Sequence, residues 1–166
     1  MKDKYKHLLN FTANIISLAV EAAMFGWVWY MLYIPMLDKA NTFFNRGNWA
    51  VIGMYVLFVF FFTKIFGGYR IGYMRISDII LSQILAVILA MIVAYFEICL
   101  VANDYLPPQP LLLMTVTEII FIVPWVVLVR KAYTRLYPPR QMLVIYGNYS
   151  PDDLIAKINT RKDKYN

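Results

Sequence analysis

The sequence predicts an all-α membrane protein: a four-transmembrane-helix bundle followed by the first strand and helix of an incomplete α/β domain. Three observations predict it. Four apolar blocks each approach or exceed the roughly 20 helical residues that cross a hydrocarbon core about 30 Å thick. The basic residues collect in alternate segments between those blocks. The composition then changes abruptly after the fourth. Hydrophobic residues make up 61% of the 166 and charged residues 16%, against about 45–50% and about 25% in a soluble domain.

The blocks fall at residues 8–34, 49–66, 76–102 and 110–129. The four-span region is expected over 1–134, with a linker and the start of a soluble unit over 135–166. The first block is too long for the apolar core of a removable signal peptide, and more spans follow it. The second is the shortest, and Lys64 near its end must snorkel to the headgroups. Four blocks of this kind leave too few polar faces to solubilise a bundle in water. Cys99 is the only cysteine, which excludes an intrachain disulfide and a thiolate metal site. His7 is the only histidine, so neither a histidine-cluster metal site nor a Ser-His-Asp triad has a basis.

With four spans, the segment before the first block, the loop after the second and everything after the fourth share one side. Of the 16 lysines and arginines, only Lys39 and Arg46 fall on the other side. Positive charge stays inside, so the sequence predicts a multi-pass protein of the cell membrane with both termini cytoplasmic. The net charge of +6 then reflects topology and attraction to anionic headgroups, not a nucleic-acid partner. The lipid bilayer is the expected partner.

The loop GGYRIGYMRISD, residues 67–78, joins the second and third blocks. Tyr69 and Tyr73 suit the headgroup zone, and Arg70 and Arg75 hold the loop on the inner side. Ser77 or Asp78 is placed to cap the third helix. The glycines form neither GxGxxG nor a P-loop pattern, and no strand precedes them. The stretch is read as an interfacial turn.

Three carboxylates lie within the spans: Glu21, Glu97 and Glu118. At 1.5 Å per residue from the cytoplasmic ends, Glu21 lies about 20 Å in, Glu118 about 18 Å in, and Glu97 roughly 31 Å, where water reaches it. His7, Asn10, Asn14, Ser17 and Glu21 alternate steps of three and four, which is one helical face. Ala13, Ala22, Ala23 and Gly26 permit close helix approach in the same span. One reading is a proton or cation site built around Glu21 and Glu118 with Asn14 and Ser17. The other is a polar packing seam with protonated or hydrogen-bonded carboxyls. No lysine or arginine at membrane depth offers a counter-charge, which favours the seam. Pro124 is expected to kink the fourth helix.

After the fourth block, KAYTRLYPPR (131–140) reads as a basic linker closed by Pro138–Pro139. QMLVIYG (141–147) reads as a short buried strand. Ser150–Pro151–Asp152–Asp153 is a helix start, running to about Thr160. One strand with both edges bare is not a stable sheet. The chain therefore reads as the front part of a larger protein.

The fragment FGGYRIGYMRISD between spans two and three, and RQMLVIYGNYSPDDLIAKINTRKDKY after span four, carry a family resemblance. Together with the four spans they resemble the amino-terminal membrane region of the large bacterial sugar transferases. These are the polyprenyl-phosphate enzymes of the undecaprenyl-phosphate glucose or galactose phosphotransferase type. The resemblance implies transfer of a sugar phosphate from a UDP-sugar to undecaprenyl phosphate in exopolysaccharide, capsule or O-antigen synthesis. It further implies that the segment after span four opens an incomplete Rossmann-like α/β domain, and that catalysis and Mg²⁺ belong to a carboxy-terminal domain. No residue here matches that domain's motif, so no catalytic, cofactor-binding or metal residue carries over, and the chain is expected to be inactive as a transferase. A homo-oligomer through the bundle and a polyprenyl phosphate are partners this reading admits. Two other functions compete: a small four-span transporter using Glu21, and a standalone structural or chaperone-like membrane protein.

Overall fold

The computed structural model describes residues 2–37, 45–70 and 74–136, with residues 2–7 and 45–46 described by their backbone alone. Four helices follow one another: α1 (Lys2–Val28), α2 (Asn45–Phe66), α3 (Ile76–Ala102) and α4 (Gln109–Leu136). Each is long and apolar enough to cross a membrane, which makes this a multi-pass membrane protein. The described residues contain no strand. The strand expected over 141–147, the helix expected after Ser150, and Tyr73 lie outside the described residues. Successive helices pack on one another, and α4 closes the ring against α1.

The helix ends have local causes. Beyond α1 the chain widens into one π turn, Trp29–Tyr33, and tightens into a 3₁₀ turn, Ile34–Met36. Pro35 offers no N–H and would press its ring on the carbonyl four residues back. The wider turn keeps the chain helical by letting the Ile34 N–H donate to the Trp29 carbonyl instead. At the end of α2, Gly67 N–H donates to Lys64 O (3.3 Å) and Gly68 N–H to Thr63 O (2.9 Å). This double closure needs a left-handed residue, and Gly67 supplies it at φ 78°. Asn103 ends α3 in the same region, at φ 52°.

Two boundaries differ from expectation. The residue that precedes α3 is Arg75, and no side chain caps the helix. Ser77 and Asp78 lie inside the first turn, where Ser77 Oγ donates to Asp78 Oδ1 at 3.3 Å rather than accepting from a backbone N–H. A cap must stand before the first turn; within it, Asp78 can act only through its charge on the helix dipole. The second difference is the length of α4, which continues through Lys131 to Leu136 instead of giving way to a linker after Val129. Lysine, alanine, arginine and leucine all favour helix, and cations suit its last turn. Pro124 sits inside α4 without ending it, as prolines in membrane helices often do.

The buried faces repeat every four residues. On α3 the stripe includes Ala86, Ala90 and Ala94, all fully buried, whose small side chains let the neighbouring backbones come close. The core divides into two clusters. One gathers Phe25, Trp29, Tyr33, Tyr55, Ile98 and Leu111. The other, towards the 67–75 loop, gathers Ala13, Ile79, Val87, Ile122, Val126 and Val129. Outward faces carry Phe11, Trp27, Trp49, Phe61, Phe96 and Leu113, all exposed, as a lipid-facing surface requires.

Candidate intramembrane polar site

The seam on α1 faces inward. Ser17 and Glu21 are buried, and Asn10 and Asn14 are half-buried. Ser17 and Glu21 are one turn apart, and Ser17 Oγ donates to Glu21 Oε1 at 3.0 Å. On α4, Thr115 and Glu118 share the buried face with Leu111 and Ile122. Glu118 has no solvent-exposed surface at all. Its carboxyl oxygens lie 2.8 and 2.9 Å from the hydroxyl of Tyr55 on α2. That phenol is fixed from its ring side, stacked on Phe25 with centroids 4.2 Å apart and planes 8° apart. Helix spacing thus places three elements at one depth: α1 brings Glu21 and Phe25, α2 brings Tyr55, and α4 brings Glu118.

Both carboxyls are met by neutral hydroxyls, not by cations. Arg130 is buried on the same face of α4 as Glu118, but twelve residues on, about 18 Å along the axis. It serves the other end: its Nη1 donates to the Met74 carbonyl at 3.4 Å, tying α4 to the loop.

A second polar layer lies at the loop end. Asn14 Nδ2 donates to Tyr69 O at 3.5 Å, and Gln83 Nε2 donates to Gly68 O at 3.2 Å. Ser82 Oγ lies 2.9 Å from Phe66 O and 2.6 Å from Asp78 O. The Tyr69 ring packs on Phe60 at 5.7 Å, and its hydroxyl hydrogen-bonds with Thr63. Burial pushes the Tyr69 phenol up to about 12; the Glu21 charge acts in the same direction and the Thr63 bond against it. Tyr69, expected to suit the headgroup zone, packs along the end of α2. Arg70, Arg75 and Asp78 are exposed. Among the described loop residues, Gly68 and Tyr69 turn towards the bundle while Arg70 and Arg75 stay exposed.

Of the expected site residues, Glu21 and Ser17 meet directly, while Glu118 meets Tyr55, and Asn14 holds the loop backbone. Glu97 is half-buried on α3, and its Oε2 is buried without a hydrogen-bond partner among the described residues. Tyr55, Thr63 and Gln83 were not singled out in the sequence. A signal existed for each, since all three are polar groups on the same helical face as buried apolar neighbours. Among the described residues, no three histidine, cysteine or acidic side chains converge as a metal site would need. What the arrangement can do is tie carboxyls on two helices to hydroxyls through short hydrogen bonds within the bundle.

No family model, no curated protein and no solved structure matches the chain. Its class is set by its architecture alone: a multi-pass membrane protein built as a four-helix ring with a hydrogen-bonded polar interior.

Proposed function

We propose that the chain is the membrane-anchoring and assembly module of a polyprenyl-phosphate sugar transferase, with both termini in the cytoplasm. The observation that supports an anchor is the closed state of the acidic groups. Glu118 is wholly buried and bridged by Tyr55, and Glu21 is held by Ser17. A carrier must expose its coupling carboxyl to water on each side in turn, whereas a structural seam keeps it satisfied inside. The sugar-transferase part of the reading rests on the sequence of the 67–78 loop and of the segment after Pro139. In this reading Mg²⁺ and the phosphoryl chemistry belong to a separate catalytic domain.

The experiment has two arms. Purified 166-residue chain, given Mg²⁺, undecaprenyl phosphate and a panel of UDP-sugars, is expected to release no UMP. A protein carrying this chain together with the catalytic domain of the proposed reading, assayed in the same way, is expected to release it. UMP release by the 166-residue chain alone, lost on mutating Asp78, would overturn the anchor reading. Failure of the two-part protein with every UDP-sugar would overturn the transferase reading. Proton-dependent uptake of a cationic substrate, abolished by Glu21→Gln, would favour the transporter instead.

A further inference from the structure

A hollow of about 530 Å³ lies between the start of α1 and the end of α4. Leu9, Ala13 and Ile16 form one wall, and Trp125, Val129 and Ala132 the other. Among the described lining residues the one hydroxyl is that of Thr12, and it donates to the Leu8 carbonyl at 2.9 Å. Both walls belong to membrane spans. Such a lining offers water few of the two to four partners that a retained water needs.

The slot does not end in apolar sequence. A second hollow, of about 730 Å³, adjoins it by sharing Leu128, Ala132 and Leu136, and adds Lys131, Thr134 and Arg135. Lys131 and Arg135 are four residues apart, so they stand one above the other on α4. Both are exposed. An apolar slot between two spans thus adjoins two cations in the last two turns of α4. Its profile is that of an amphiphile with an anionic head.

We propose that this slot binds one anionic diacyl phospholipid, an acyl chain lying between α1 and α4 and the phosphate held by Lys131 and Arg135. Charge decides the lipid class. Arginine matches a phosphate in two-point geometry, and lysine adds a point charge. A zwitterionic lipid brings an ammonium group that the same two cations repel. The site is separate from the Glu21–Glu118 seam and does not depend on the transferase reading.

The test is native mass spectrometry of protein released from nanodiscs of equal phosphatidylglycerol and phosphatidylcholine. The expected result is one retained phosphatidylglycerol per chain, at least tenfold preferred over phosphatidylcholine. Lys131→Gln with Arg135→Gln is expected to abolish the preference, and Ala132→Phe, which fills the slot, to abolish retention. Lys64→Gln, on α2, is expected to change neither. Unaltered far-UV circular dichroism and melting show that each variant is folded. Equal retention of both lipids by wild type, or survival of the preference in the double variant, would overturn the proposal. So would a dimer whose formation excludes lipid, or undecaprenyl phosphate displacing phosphatidylglycerol with tenfold higher affinity.

Discussion

The two halves of the bundle are closed by different means. The half containing Trp29 and Tyr33 is filled by rings: Phe25 stacks on Tyr55, and Trp29 on Tyr33, with Ile98 and Leu111 between helices. Its polar atoms lie at ring edges, where each finds one partner: Trp29 Nε1 donates to Asn48 Oδ1 (3.2 Å) and Tyr33 donates to Pro107 O (3.0 Å). The half nearer the 67–75 loop buries Ala13, Ile79, Val87, Ile122, Val126 and Val129, all aliphatic among the described buried residues, with Trp125 half-buried against them. There the remaining space is taken by returning backbone at Gly68 and Tyr69, held by the amides of Gln83 and Asn14. Lipid tails are as apolar as leucine, so helices in a bilayer associate through packing and hydrogen bonds rather than by escape from water. One half relies on the first, and the other leans more on the second.

The largest difference should therefore come from deleting a ring. Phe25 is 1% exposed and stacks at 4.2 Å on the tyrosine that bridges Glu118. Phe25→Ala removes the ring's contacts and leaves a void beneath Tyr55, at a cost of about 4 kcal/mol. Equilibrium unfolding in mixed micelles, by titration with sodium dodecyl sulfate, measures it. A loss under about 1 kcal/mol would mean that the half closed by rings does not depend on packing.

In the other half the sensitive element is backbone. A Cβ on Gly68 would stand 2.9 Å from Thr63 Cγ2 and 3.0 Å from Gln83 Cγ. Threonine is branched at Cβ and has few rotamers to retreat into. Gly68→Ala is expected to lift the loop from the bundle and cost about 2 kcal/mol. Proteolysis within residues 67–75 should quicken at the same time. Gly53, with nothing within 4 Å of an added Cβ, is the matched control and should gain slightly as alanine.

This contrast also explains what could be read from the chain beforehand. Spans were visible because bilayer crossing demands long apolar runs, and a run is a one-dimensional property. The inward face of α1 was visible because Asn14, Ser17 and Glu21 repeat at helical spacing. Partners on other helices were not. Nothing local to Tyr55 states that it will meet Glu118, 63 positions away; that depends on how α2 and α4 are rotated in the ring. For Tyr69 the ambiguity was of another kind. Tyrosine suits both a headgroup zone and a partly buried slot, and only the Gly67 turn decides which way it points. Helix ends failed where two signals competed, as at Lys131, where charge suggested a linker and propensity favoured helix.

Tyr55→Phe isolates the bond that joins α2 to α4. It keeps the stack on Phe25 and removes only the hydroxyl, leaving the Glu118 carboxyl without that donor in a fully buried place. The loss should be about 1.5 kcal/mol, near the upper end for hydrogen bonds between membrane helices. Tyr55→Phe combined with Glu118→Leu should recover part of it, since two apolar groups need no partner. A double variant no more stable than Tyr55→Phe would show that Glu118 has another donor.

The smallest effect is expected at Ser17, and it tests whether the two carboxyls form one unit. Its hydroxyl donates to Glu21 within the same helix, so losing it unties no helix pair. Alanine is also the stronger helix former, which offsets part of the lost bond. Ser17→Ala should cost about 0.5 kcal/mol. A double-mutant cycle with Glu21→Gln should give little coupling, because the amide oxygen of glutamine still accepts from Ser17. A cycle of Ser17→Ala with Tyr55→Phe asks more. If Ser17–Glu21 and Tyr55–Glu118 are separate bonds in one packed seam, the two losses should add to within about 0.5 kcal/mol. Coupling of 1 kcal/mol or more would mean that the hydroxyls and carboxyls share protons as a connected network. The seam would then be a relay, and the anchoring role proposed for the bundle would be incomplete.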